Sequence, residues 1–209
     1  LEDILSGLYQ TITQYGDFIS LGFNFDSKTY IKWTEENFDY VKYNPRKPIA
    51  RYGLSLTSLD GGLSGVPDLD SLHEYNQEHK TNYEEKDFNV YTDAYIKNEN
   101  IQKFLYPFEG NFFRTHILKL APGGYFPTHR DFRHLNLDSC RLICPMENPC
   151  TFILEDKVLN WRVGHLYFLN TAKVHQLFNS TNNDSYWLVV NLELNKNTAE
   201  TIVTNLMPL

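Results

Sequence analysis

The chain has 209 residues, enough for one domain with a full core. Hydrophobic residues make up 42%, which excludes a disordered chain, and a net charge of −7 without a basic stripe argues against nucleic acid as a partner. No apolar run approaches the roughly 18 residues of a membrane span, and residues 1–10 lack the basic and apolar stretches of a signal peptide.

In chain order, residues 3–15 read as an amphipathic helix, with Ile4, Leu5, Leu8 and Ile12 on one stripe. Residues 34–43 read as a second helix, started by Thr34 and ended by Asn44-Pro45. Residues 52–59 read as a strand stopped by Asp60-Gly61-Gly62. Residues 68–79 and 98–106 read as further helices, the last stopped by Pro107. From Phe113 the character changes to short strands, at 115–121, 141–145, 151–154, 158–161, 165–169, 175–179 and 186–194. Turn signals such as Pro122-Gly123-Gly124 and Glu147-Asn148-Pro149 separate them. Short strands at this spacing, with aromatics at 15% of the chain, point to a mainly β (α+β) fold. The specific expectation is a jelly roll with N-terminal helices packed on one sheet. It is a single domain, with a helical and irregular part at 1–112 and the jelly-roll core at 113–195.

Cys140, Cys144 and Cys150 are an odd set without paired C-x-x-C spacing. They read as buried, reduced thiols of a cytoplasmic protein rather than zinc ligands. The sequons at Asn179 and Asn183 read as chance matches.

The chemistry concentrates after the Pro-Gly-Gly turn. In an extended segment residues i and i+2 project the same way, so His129 and Asp131 can reach one point. His175 opens a later strand, and in a jelly roll such strands lie side by side at the barrel mouth. Two imidazoles and a carboxylate on one face leave positions open for other ligands, the arrangement associated with non-haem iron(II) oxygenases. H-x-D alone is a weak signal; the surrounding strands and His175 supply the context. The plainer alternative is a hydrogen-bonded His129–Asp131 pair with His175 as a core histidine. Asp131 is expected to face the surface, so that its removal costs function more than folding. His116 shares a strand face with Arg114, Leu118 and Leu120 and reads first as a satisfied buried histidine. His134 and His165 read as exposed beside loops, and His73 and His79 as exposed on a helix. Tyr125, Phe126, Arg130 and Arg133 flank the metal pair as candidate substrate contacts, with Arg51 and Tyr52 joining from the N-terminal part.

At this point a family resemblance emerges. Residues Leu120-Ala-Pro-Gly-Gly-Tyr-Phe-Pro-Thr-His129 resemble the approach to the first metal histidine in aspartyl/asparaginyl β-hydroxylase-like oxygenases. Arg141-Leu-Ile-Cys-Pro145, Trp161-Arg-Val-Gly164 through Phe168, and His175-Gln-Leu-Phe-Asn179 resemble the strands that follow. The resemblance covers 113–194 and leaves the first hundred residues unmatched. It implies a double-stranded β-helix, iron(II), 2-oxoglutarate and dioxygen, and hydroxylation of a C–H in an amino acid, peptidyl residue or small metabolite. Some members, and halogenating relatives, lack the metal carboxylate; Asp131 therefore favours hydroxylation. The family often carries an Arg about ten residues beyond the distal histidine to clasp the far carboxylate of 2-oxoglutarate. Here that region reads Asp184-Ser-Tyr-Trp187, with no Arg. Arg141 is the expected replacement, since a guanidinium grips a carboxylate with two parallel hydrogen bonds. Its alternative is a sheet-edge Arg, and Lys119 and Arg114 are weaker candidates. Two other functions stay open: a cupin-like metal enzyme without 2-oxoglutarate, and a non-enzymatic jelly-roll binding or assembly module.

Overall fold

The structure, a computed structural model, describes residues 2–131 and 139–207. The N-terminal part holds α1 (Glu2–Thr13), β1 (Phe18–Asn24), α2 (Ser27–Asn37), β2 (Val41–Lys42), β3 (Arg51–Ser55) and β4 (Thr57–Ser58). Next come α3 (Leu72–His79), β5 (Val90–Tyr91), α4 (Asp93–Ile96) and α5 (Glu99–Leu105). The strand-rich part runs β6 (Phe112–Leu120), β7 (Tyr125–His129), β8 (Ser139–Glu147), β9 (Thr151–Leu154) and β10 (Lys157–Val158). It continues through β11 (His165–Leu169), β12 (His175–Phe178) and β13 (Ser185–Glu193) to α6 (Lys196–Thr204) and β14 (Leu206–Met207).

All strands but the β4–β5 pair form two facing sheets, as the jelly-roll expectation requires. The larger sheet has the order β14-β1-β11-β8-β13-β6-β3-β2, and the smaller has β10-β9-β12-β7. Both are antiparallel throughout, so side chains alternate between two faces along each strand. One face of the large sheet contributes Ile117, Leu142, Cys144, Leu188, Val190 and Leu192 to a core that also holds Tyr30, Ile31, Ile101, Phe104 and Ile202 from the helices. Its other face, with Leu118, Leu120, Ile143, Leu169, Trp187 and Val189, meets Phe152, Leu154 and Leu177 of the small sheet. Burying each such side chain contributes about 1.5–3 kcal/mol. Trp187 is the largest of the fully buried side chains. It lies 5.1 Å from Trp161 and 6.0 Å from Phe152 between ring centroids, closing the space between the sheets on that side.

Several elements differ from their sequence reading for local reasons. The second helix begins at Ser27, because the Asp26 carboxylate caps it by accepting from the Thr29 N–H at 3.3 Å. Thr34, expected to start that helix, is buried inside it and donates to the Ile31 carbonyl at 2.8 Å. The strand expected at 52–59 divides: β3 joins β6 in the large sheet, while β4 pairs β5. β1, α4, α6 and β14 were not expected. The three cysteines are free and buried, as expected. No helix among the described residues is long and apolar enough to cross a membrane.

Candidate metal centre

The site is assembled by one strand register. His175 on β12 pairs directly opposite His129 on β7, and their ring centroids are 4.3 Å apart. The approach to β7 depends on glycine: a Cβ on Gly124 would sit 2.2 Å from the Ala50 carbonyl oxygen, and Gly123 takes φ +79°. Just beyond β7, the Asp131 N–H donates to the Thr171 carbonyl at 3.1 Å, tying the carboxylate-bearing residue to the loop that leads into β12. One ligand atom from each of His129, Asp131 and His175 lies within 4.8 Å of the others.

Hydrogen bonds fix which atoms face the centre. His129 Nδ1 lies 2.6 Å from the Pro127 carbonyl, and His175 Nδ1 lies 2.9 Å from the Lys173 carbonyl. A carbonyl only accepts, so each Nδ1 carries the proton and each Nε2 offers a lone pair. Those Nε2 atoms stand 3.3 and 3.7 Å from Asp131 Oδ1. Asp131 Oδ2 is engaged by Arg141 Nη1, and Arg141 Nε donates to Asn191 Oδ1 at 2.7 Å. Two neutral imidazoles and one carboxylate oxygen on a common face, with an open cavity in front, suit a divalent first-row metal.

The electrostatics follow from burial and neighbours. Burial works against the Asp131 carboxylate, yet the Arg141 guanidinium and the two histidines outweigh it and hold the carboxyl well below the usual range. Burial also opposes charge on His129, but Asp131 more than offsets it and raises the pKa. His175 goes the other way: burial wins over Asp131 and lowers it. Asp131 departs from expectation, since its side chain is 12% exposed and ion-paired rather than surface-facing.

The cavity in front of the triad measures about 1230 Å³ and lies between the two sheets. Of the sequence candidates, Arg51, Tyr125, Phe126, Arg130 and Arg141 line it together with the triad. Arg130 and Tyr125 are exposed at its rim. Tyr52 does not line it: its ring faces Lys42, because neighbours on a strand alternate. Lys119 is also turned away, paired with Glu35 and Asp184 at 3.2 and 2.9 Å. Arg114 lines the cavity, but it donates to the Asp68 and Asp70 carbonyls and pairs with Glu85. His116 is buried as expected and also lines the cavity; burial pushes its pKa down to about 3, so it stays neutral. His73 and His79 are exposed, as expected, whereas His165 is half-buried on β11. Arg133 and His134 lie outside the described residues.

Sequence reasoning passed over Asn191, which orients Arg141, and Thr171, whose buried Oγ1 has no hydrogen-bond partner among the described residues. Asn191 carried a signal, being the polar interruption of the apolar run from Tyr186 to Leu192. Thr171 carried none, because its place beside Asp131 depends on a long-range contact.

The chain is similar to known proteins in sequence and in fold. The aspartyl/asparaginyl β-hydroxylase family model matches residues 70–194, so the similarity starts earlier than the sequence motifs indicate and takes in α3. A 2-oxoglutarate–Fe(II) oxygenase family oxidoreductase from Burkholderia pseudomallei is 10% identical over 90% of this chain and 91% of its own, with TM-score 0.50, and shows the same fold. Viral collagen prolyl hydroxylase from Paramecium bursaria Chlorella virus-1, solved with 2-oxoglutarate, is 10% identical over 86% and 97% of the two chains, with TM-score 0.44. No curated protein matches the sequence. Matched over more than half its length, with the His-Asp-His cluster inside the matched region, the chain belongs to the aspartyl/asparaginyl β-hydroxylase family.

Proposed function

We propose that the protein is an iron(II)- and 2-oxoglutarate-dependent dioxygenase that hydroxylates a C–H bond of an amino acid, a peptidyl residue or a small metabolite. The observation that carries the reading is the convergence of His129 Nε2, His175 Nε2 and an Asp131 oxygen at the edge of a large cavity. Iron(II) with 2-oxoglutarate and dioxygen supplies the oxidising power for such a reaction, releasing succinate and carbon dioxide.

The chain's own residues prepare the site. The Pro127 and Lys173 carbonyls lock both histidines in the ligating tautomer. Arg141 holds Asp131 by one oxygen and leaves the other toward the histidines. With Nε and Nη1 engaged, Arg141 keeps its Nη2 edge for contact with a carboxylate of the co-substrate. The aromatic wall of Phe152 and Trp187 excludes water behind the metal, which strengthens every charge interaction in front of it. The cavity exceeds the roughly 300–1,000 Å³ common for small-ligand sites, leaving room for co-substrate and substrate together. Arg51, Tyr125 and Arg130 are the proposed contacts to the bound molecules.

Titrating 2-oxoglutarate into anaerobic iron(II)-loaded protein tests the reading. A metal-to-ligand charge-transfer band is expected, followed by succinate release once oxygen and a substrate are admitted. Absence of both the band and any 2-oxoglutarate turnover would overturn it.

A further inference from the structure

Arg51 sits on β3 in the cavity wall and is 4% exposed. Among the described residues it has no carboxylate partner. Among those residues its guanidinium makes one hydrogen bond, from Nη1 to the Tyr125 carbonyl at 3.4 Å; Nη2 makes none, and the enclosed Nε is also without a partner. The guanidinium carbon lies 4.3 Å from the Phe126 ring centroid and 5.6 Å from that of Tyr43. Ring faces offset part of the cost of burying this charge, but they satisfy none of its N–H groups. A buried cation left without an anion is costly, and burial lowers its pKa.

The two partly buried arginines of the cavity are differently placed. Arg114 spends its donors on Glu85 and two carbonyls, and Arg141 spends Nε and Nη1 on Asn191 and Asp131. Each is already paired with a carboxylate of the protein, whereas Arg51 is not. Lys47 pairs with Glu74 at 3.6 Å and is half exposed. Three further cavity-lining residues, Asn44, Glu74 and Thr171, also hold buried side-chain oxygens without partners among the described residues.

Resting on the co-substrate reading above, we propose that Arg51 grips the far carboxylate of 2-oxoglutarate. If held at the metal by its 2-oxo acid end, that molecule would leave its second carboxylate in need of a cation within the cavity. Arg51 and the three candidate ligands line one cavity, and Phe126 lies beside both, its ring 4.3 Å from the guanidinium and 6.1 Å from the ring of His129. The rings also favour a guanidinium over an ammonium, since a flat cation stacks on them while keeping its N–H edge free. The expectation that Arg141 would clasp the far carboxylate thus passes to Arg51, and Arg141 acts at the metal end.

The test compares 2-oxoglutarate with 2-oxopentanoate, which presents the same chelating end and no far carboxylate. Both are titrated into anaerobic iron(II)-loaded protein, following the charge-transfer band and the thermal melting of each complex. Wild type should prefer 2-oxoglutarate by about 10- to 100-fold, the effect of one charge-assisted pair. Arg51→Gln should bring that preference to within about threefold, with the 2-oxopentanoate titration unchanged. Arg51→Lys, which keeps the charge, should restore part of it. Three results would overturn the proposal: a wild type indifferent to the far carboxylate, an Arg51→Gln variant that keeps the wild-type preference, or equal weakening of both acids. If Arg51→Gln fails to fold, an Arg51→Lys variant with the full wild-type preference decides against it. If wild type binds neither acid, the co-substrate reading itself fails, which is a different outcome from a wild type that binds 2-oxoglutarate independently of Arg51.

Discussion

Along β8, Cys140, Leu142 and Cys144 turn into the helix-backed core, while Arg141 and Ile143 turn toward the cavity. β13 does the same, with Leu188, Val190 and Leu192 on one side and Trp187, Val189 and Asn191 on the other. The same strands therefore carry two different kinds of surface. The helix-backed face is apolar and closely filled, and its side chains contribute stability by leaving water. The cavity face carries arginines, histidines and orphaned polar atoms, whose desolvation is offset only when partners or ligands are present. The comparison teaches that function is concentrated on the face that folding alone would disfavour.

Replacing a proposed metal ligand should give the largest effect. His129→Ala or His175→Ala should abolish iron(II) binding, because two donors hold a hydrated ion poorly in a site built for three. Calorimetric titration of the variants checks this, and wild-type affinity in either would mean the ligands are misassigned. Since both are on the cavity face, neither should lower the melting temperature of the metal-free protein as a helix-side deletion would.

Asp131→Ala sharpens the contrast by removing the only carboxylate paired with Arg141 among the described residues. A buried guanidinium left alone costs about 3 kcal/mol. Both melting temperature and succinate release should fall, and a variant that melts like wild type would show that Arg141 finds another partner. Leu188→Ala tests the opposite face. The residue is fully buried in the helix-backed core, so its truncation should cost about 2–5 kcal/mol in denaturant titration. Iron affinity of the folded variant should stay at the wild-type value; a loss would mean the two faces are not separable.

His116 gives the smallest effect, visible only through pH. Its pKa is about 3 in the fold, against roughly 6.5 when unfolded. Below the unfolded value the denatured chain takes up a proton that the native state refuses, so stability falls as pH drops from 7 toward 5. The contribution over that window is about 2 kcal/mol. His116→Gln should flatten this part of the stability profile of the metal-free protein, and an unchanged profile would assign the pH dependence elsewhere.

The sequence by itself determined the β-rich class, the first, third and last of the expected N-terminal helices, and the placing of His129 and Asp131 on one side of the chain. Those features are local: alternation along a strand, Pro-Gly-Gly and Asx signals at turns, and His129 and Asp131 two residues apart on extended chain. It also located Arg141 and Arg51, though not what each would touch. The tertiary structure decided the rest. His175 faces His129 only through the pairing of β12 with β7, and Asp131 meets Arg141 only because β8 lies across the cavity mouth. Lys119 and Arg114 are equally basic in sequence, yet one turns to Glu35 and Asp184 and the other is saturated by Glu85 and two carbonyls. Arg51 is left with open donors because of what packing withholds from it. Whether a buried charge is spent or available depends on partners dozens of residues away, and only the folded chain brings those partners into range.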